Sequence, residues 1–98
     1  MRRVVNCYGP TECTTYCLAG EVPRVASGEP AIGSPIAGAD ALVRDDQGEP
    51  VTTGATGELW ITGPLVTAGY LHRAELTADR FVVDRATGRR AYRTGDLV

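Results

Sequence analysis

The sequence predicts a mainly β fold built from short strands. Twelve glycines and six prolines among 98 residues punctuate the chain too often for long helices. The segments 39–44 and 58–62 carry the two-residue alternation of strands. Ninety-eight residues fit one small domain, and a hydrophobic fraction of 43% supplies a core with few aromatic rings, at 6%.

Taken in order, the β-branched Val4 and Val5 open a short strand that breaks at Gly9-Pro10. Pro10 lacks an N–H and restricts the residue before it, so the strand ends in a tight turn. That turn presents a ring (Tyr8), a hydroxyl (Thr11) and a carboxylate (Glu12). Residues 13–18, rich in β-branched and aromatic types, read either as a strand or as an irregular buried run. Residues 19–35 read as loop, with Gly20, Pro23, Gly28, Pro30, Gly33 and Pro35 as breakers.

Ala39, Ala41 and Val43 alternate against Asp40 and Arg44, which predicts a half-exposed strand with the charges outward. A hairpin turn follows at 45–48, where Gly48 supplies a positive φ. A second turn lies at 54–57. The clearest strand is 58–62, with Leu59 and Ile61 on one face and Trp60 on the other. Turn geometry accounts for Gly57 and Gly63. Residues 74–81 form a two-turn helix, with Thr77 and Phe81 at i, i+4 spacing. A turn at 84–88 leads into a strand at 90–94, which Gly95 ends, leaving Asp96 exposed at its tip.

A net charge of −2 removes the electrostatic case for nucleic acid or an anionic membrane surface. Arg2-Arg3 and Arg89-Arg90 read as solvated surface. No apolar run approaches the ~20 residues of a membrane helix. Cys7, Cys13 and Cys17 match no C-x-x-C spacing, and His72 stands far from them. An odd count of cysteines without a signal peptide points to free thiols in a reducing cytosol. All ten basic residues are arginine, and no G-x-x-x-x-G-K-[ST] phosphate loop is present.

The turn at 8–12 carries the chemistry. A ring stacks on a base, a hydroxyl donates to a phosphate oxygen, and a carboxylate holds Mg²⁺, a hard ion that keeps phosphate company. The same residues also read as a plain turn followed by a helix N-terminus, with Glu12 favoured near the positive end of the dipole. Residue types alone leave both readings open.

Four stretches in a fixed order go further: Asn6-Cys7-Tyr8-Gly9-Pro10-Thr11-Glu12, Gly57-Glu58-Leu59 running to Gly69-Tyr70-Leu71, Glu75-Leu76-Thr77-Ala78-Asp79-Arg80-Phe81, and Tyr92-Arg93-Thr94-Gly95-Asp96-Leu97. Together they span nearly the whole chain. The sequence resembles the amino-acid-activating adenylation domains of non-ribosomal peptide synthetases, within the adenylate-forming, AMP-binding superfamily. The resemblance implies the last strand and nucleotide-binding turn of an α/β subdomain over residues 1–18, a linker over 19–35, and a small distorted β-barrel over 36–98.

It also implies roles. Tyr8 stacks on adenine, Asn6 bonds its exocyclic amine, and Gly9 lies in the nucleotide turn. Thr11 contacts the α-phosphate and Glu12 ligates Mg²⁺; these two are the catalytic pair. Asp96 takes the ribose hydroxyls. Tyr92 packs near that ribose or is simply a core aromatic. Cys7, Thr15 and Tyr16 line part of the substrate pocket. The implied partners are an amino acid, ATP, Mg²⁺ and a carrier domain bearing phosphopantetheine; no nucleic acid or membrane is expected, and the setting is cytoplasmic.

The family's own phosphate loop, most of its pocket and its bridging lysine belong to segments upstream or downstream of such a stretch. The chain is therefore expected to be an internal slice, inactive alone. Leu65 and Ala68 stand where the synthetases usually carry Gly and Arg, and Gly63-Pro64 resembles stand-alone relatives; Gly63-Pro64 and Ala68 keep a stand-alone acyl- or aryl-acid ligase as an alternative. A small non-catalytic binding protein is a third reading.

Overall fold

The computed structural model describes residues 5–22 and 31–98. The expectations for Arg2, Arg3, Val4, Pro23, Gly28 and Pro30 lie outside the described residues. Among the described residues, two antiparallel sheets make the fold. The first has the order β1-β2-β3, with β1 at Val5–Tyr8, β2 at Leu18–Glu21 and β3 at Ser34–Pro35. The second has the order β4-β5-β7-β6, with β4 at Asp40–Arg44, β5 at Glu58–Thr62, β6 at Phe81–Val83 and β7 at Arg90–Leu97. A helix, α1 at Ala74–Arg80, precedes β6 directly.

β1 and β2 form a hairpin with Tyr8 opposite Leu18. The chain between them makes a 3₁₀ turn at Thr11–Cys13, entered from an extended Pro10. It then passes through Thr14 and Thr15, both at positive φ (58° and 74°). That conformation is costly for β-branched residues. It is held by Thr14 Oγ1 donating to the Leu65 carbonyl at 2.7 Å, and by the Cys17 N–H donating to the Tyr8 carbonyl at 2.9 Å. Residues 13–17 are irregular, Leu18 opens β2, and the run is only half buried: Cys13, Cys17 and Leu18 are inside, while Thr14, Thr15 and Tyr16 are exposed. Gly9 is required by close approach: a Cβ there would lie 2.3 Å from Tyr16 Cα.

The stretch expected to be loop from residue 19 onward begins instead as strand. Gly20 does not break β2, because its missing Cβ lets the Gly33 backbone pass; a Cβ there would sit 2.8 Å from Gly33 Cα.

In the second sheet, Leu59 and Ile61 face a core shared with Phe81, Tyr92, Ala39, Cys13, Cys17 and Leu18. Trp60 is buried too, beneath the Arg93 guanidinium at 5.7 Å from its ring centroid. The 45–48 turn forms with Gly48 at φ 79°, and Asp45 Oδ1 accepts from the Gln47 and Glu49 N–H groups. Gly63 has φ 114°. Gly57 departs from the turn explanation: a Cβ there would lie 2.7 Å from the Arg44 carbonyl oxygen, so close packing requires it.

Three further expectations need correction. Arg44 is buried, not outward: its Nε and Nη2 donate to the two oxygens of buried Asp84 at 2.7 and 2.9 Å. Thr87 adds its N–H and hydroxyl to Asp84 Oδ2. Arg44 foremost, with Thr87, holds the Asp84 carboxyl down at about 2 against the cost of burial. Phe81 belongs to β6 rather than to the helix, which buries no residue fully. Gly95 does not end β7. It takes φ 80° inside an irregularity of the β5–β7 ladder, where Thr94 Oγ1 donates to the Leu59 carbonyl and the Gly95 N–H donates to Glu58 Oε2. Asp96 is exposed, as expected. Arg89 and Arg90 are exposed but engaged. Arg89 bonds Asp40 at 2.7 Å, and Arg90 donates to the Thr67 and Ala68 carbonyls while covering the Phe81 ring.

Candidate functional site

The first and last motifs of the sequence meet in space. The Tyr8 hydroxyl donates to Asp96 Oδ2, across 88 positions of chain. The Tyr92 hydroxyl donates to Glu12 Oε2 at 3.0 Å, across 80 positions, and the Tyr70 hydroxyl donates to the same oxygen. The contacts are crosswise. The carboxylate beside the β1–β2 hairpin is held by rings from the other sheet and the loop before α1. The carboxylate at the end of β7 is held by a ring of β1.

Local structure explains each placement. Alternation along β1 gives Asn6 and Tyr8 one half-buried face and leaves Val5 and Cys7 exposed on the other. Tyr92, only 5% exposed, stacks at a tilt on Phe81 with centroids 5.0 Å apart. Tyr70 meets the same Phe81 ring edge-on at 5.4 Å. One buried phenylalanine thus sets two hydroxyls toward Glu12, the middle residue of the 3₁₀ turn. Asp96 projects past the β7 irregularity, with its N–H bonded to Thr94 Oγ1 at 3.1 Å.

The electrostatics follow from these bonds. The Tyr70 hydroxyl, above the other donors, holds the Glu12 carboxyl below the usual carboxylate range, outweighing partial burial; Tyr92 assists. The carboxylate is therefore ionised at neutral pH. Burial pushes the Tyr92 phenol up, as does the prospect of a phenolate beside Glu12. Burial and the bond to Asp96 do the same for Tyr8. Burial also raises the Cys13 thiol to about 12 and the Cys17 thiol above its ordinary value, so both are inert thiols.

The remaining predicted residues divide. Thr11 is exposed at the start of the 3₁₀ turn, next to Glu12. The Asn6 amide N–H₂ donates to the Ala31 carbonyl at 2.9 Å, which leaves its Oδ1 as the acceptor that an amine would need. Gly9 lets the hairpin close, as described above. Cys7, Thr15 and Tyr16 are all exposed, and Cys7 lies on the β1 face opposite Asn6 and Tyr8. No hydrogen bond links these three among the described residues.

The residue that sequence reasoning passes over is Tyr70. It lies inside the Gly69-Tyr70-Leu71 motif with no role assigned to it. A positive φ of 139° at Gly69, with no room for a Cβ against Thr77, marks the turn that aims it. Among the described residues, no group of three or more His, Cys, Asp or Glu side chains is gathered as a metal cluster. No described helix is long and apolar enough to cross a membrane.

Known proteins match this geometry. Residues 1–71 match the AMP-binding enzyme family. Bacitracin synthase 3 of Bacillus licheniformis is 48% identical over 97 residues, covering 98% of this chain and 2% of that protein. The AMPPNP-bound form of the nonribosomal peptide synthetase FmoA3 superposes with a TM-score of 0.90 at 38% identity, covering 97% of this chain and 11% of that one. The holo form of PA1221, a synthetase protein containing adenylation and PCP domains, gives a TM-score of 0.87 at 35% identity, covering 97% of this chain and 17% of that one. The chain thus spans a small share of each protein it matches. Its sequence and its fold agree on one assignment, and the chain belongs to the AMP-binding enzyme family.

Proposed function

We propose that these 98 residues act as one part of an amino-acid-adenylating ligase of the non-ribosomal peptide type. The reaction joins a substrate carboxylate to ATP. A carboxylate oxygen bonds to the α-phosphorus, the bond from that phosphorus to the bridging oxygen breaks, and pyrophosphate leaves with the electron pair. The product is an acyl-adenylate; the phosphopantetheine thiol of a carrier domain then bonds to its carbonyl carbon, the bond from that carbon to the phosphate oxygen breaks, and AMP leaves. The observation that carries the reading is the meeting of the Tyr8–Glu12 turn with Asp96 through the Tyr8–Asp96 and Tyr92–Glu12 hydrogen bonds. A ring, a hydroxyl and two carboxylates from opposite ends of the chain converge there, and they suit the parts of one nucleotide.

In this reading Tyr8 offers its ring face to adenine, and Asn6 Oδ1 accepts from the exocyclic amine. Asp96 accepts from the ribose hydroxyls; a carboxylate has lone pairs for a cis-diol as well as for the Tyr8 O–H. Thr11 donates to an α-phosphate oxygen. The residues also fit Mg²⁺. Such an ion is usually held by one or two carboxylates plus phosphate oxygens and water, and Glu12 is ionised with both tyrosine hydroxyls on a single oxygen. Glu12 would hold the ion, which supplies charge neutralisation at the phosphates when bound. Gathering these groups on a rigid frame orients the phosphate before reaction. Cys7, Thr15 and Tyr16 are proposed as part of the amino-acid pocket. The free thiols fit a reducing, cytoplasmic setting.

Amino-acid-dependent ATP–pyrophosphate exchange tests the reading. The full polypeptide carrying this segment should exchange pyrophosphate with one or a few amino acids, while the 98 residues alone should stay at background. Exchange by the 98 residues alone, or none by the full polypeptide with any amino or aryl acid, would contradict it.

A further inference from the structure

We propose that Tyr70 is a positioning residue for Glu12: with Tyr92 it pins one carboxylate oxygen, Oε2, and so reserves Oε1 for the cation that accompanies the nucleotide. The inference rests on the adenylating reading; the contacts behind it are local.

Two hydroxyls on one oxygen fix the rotamer of a side chain that would otherwise swing on three rotatable bonds. Neither ring is free to follow it, since both rings rest on Phe81. The loop that carries Tyr70 is itself docked on Glu12. The Thr67 N–H donates to the Glu12 carbonyl at 2.8 Å. Arg90 then clamps the Thr67 and Ala68 carbonyls at 2.7 and 2.8 Å. The Tyr70 N–H donates to Thr77 Oγ1 at 2.9 Å, anchoring the loop to α1. Backbone and side chain of Glu12 are therefore held by one short loop. A carboxylate oriented this way meets a cation without first losing its own rotational freedom. Partners of this kind, one bond removed from a metal, commonly change metal affinity about 10-fold or more when removed.

The test uses the full polypeptide, a non-hydrolysable ATP analogue, and Mn²⁺ in place of Mg²⁺, with free Mn²⁺ read by electron paramagnetic resonance. Tyr70→Phe keeps the ring on Phe81 and deletes only the hydroxyl, and Tyr92→Phe is its companion. Thermal melting confirms that both variants fold. Mn²⁺ affinity in the ternary complex should weaken about 10-fold in Tyr70→Phe. The Mg²⁺ concentration for half-maximal exchange should rise by a similar factor, with KM for the amino acid unchanged. Wild-type Mn²⁺ affinity in both Phe variants, alongside a loss in Glu12→Gln, would overturn the positioning role and leave the adenylating reading standing. Unchanged affinity in Glu12→Gln as well would overturn both.

Discussion

The two sheets are held together by different means. The β4–β7 sheet is closed by its own contents. Ile61, Leu59, Phe81, Ala91 and Tyr92 are buried, and a bidentate Arg44–Asp84 pair seals one end. The β1–β3 sheet buries little of its own. Val5 is 50% exposed, β3 is two residues long, and the hairpin is tied to the larger sheet through Cys13, Cys17 and Leu18 in the shared core and through polar bonds from Tyr8, Glu12 and Thr14. Of the predicted nucleotide residues, Tyr8, Glu12, Tyr92 and Asp96 make these ties, while Asn6 bonds the Ala31 carbonyl and Thr11 is exposed. The larger sheet is a platform that itself carries Tyr92 and Asp96, and the hairpin brings Tyr8 and Glu12 up to them.

The largest effect lies in the platform. Asp84→Ala leaves a buried guanidinium unpaired and should cost about 3–5 kcal/mol in urea unfolding. A joint replacement, Arg44→Met with Asp84→Leu, should recover most of that, because buried ion pairs often add little over well-packed apolar groups. A small loss for the single variant would mean that the buried pair does not hold the larger sheet together.

The same pair predicts a pH dependence. The Asp84 carboxyl, at about 2 in the folded protein, is depressed below its ordinary value. The unfolded chain therefore binds the extra proton first as pH falls. The stabilisation is complete above about pH 4 and is lost as pH drops toward 2. Melting temperature followed over that window should fall more steeply in the wild type than in Asp84→Asn.

The smallest effect belongs to the ties. Tyr8→Phe removes one hydroxyl bond between the sheets and should cost only about 1 kcal/mol of stability. Its nucleotide affinity should nevertheless weaken several-fold, since Asp96 loses its brace. A stability loss as large as that of Asp84→Ala would mean that the hairpin is a structural part of the platform.

What is legible in the sequence is local. The 58–62 strand, the Asp45–Gly48 turn and the start of α1 follow from alternation, a glycine at positive φ, and helical spacing, none of which needs a distant partner. What is not legible depends on distance. Arg44 and Asp84 stand 40 positions apart, so alternation places Arg44 on the outside. β6 follows α1 without a breaker, so Phe81 reads as the helix's last residue. Gly95 reads as a strand end because the side chains that bridge it, Glu58 and Thr94, act across the ladder. The site residues emerge through motif resemblance. Periodicity does not join Tyr8 to Asp96, and Tyr70 escapes notice because its partner lies 58 positions away.

The most direct test of the central claim is the affinity of the full polypeptide for AMP, without metal, in wild type and Asp96→Ala. If the two ends of this chain form one nucleotide site, loss of the ribose-facing carboxylate should weaken AMP binding about 10-fold or more, with melting temperature little changed. Equal affinity in the two proteins would contradict the account.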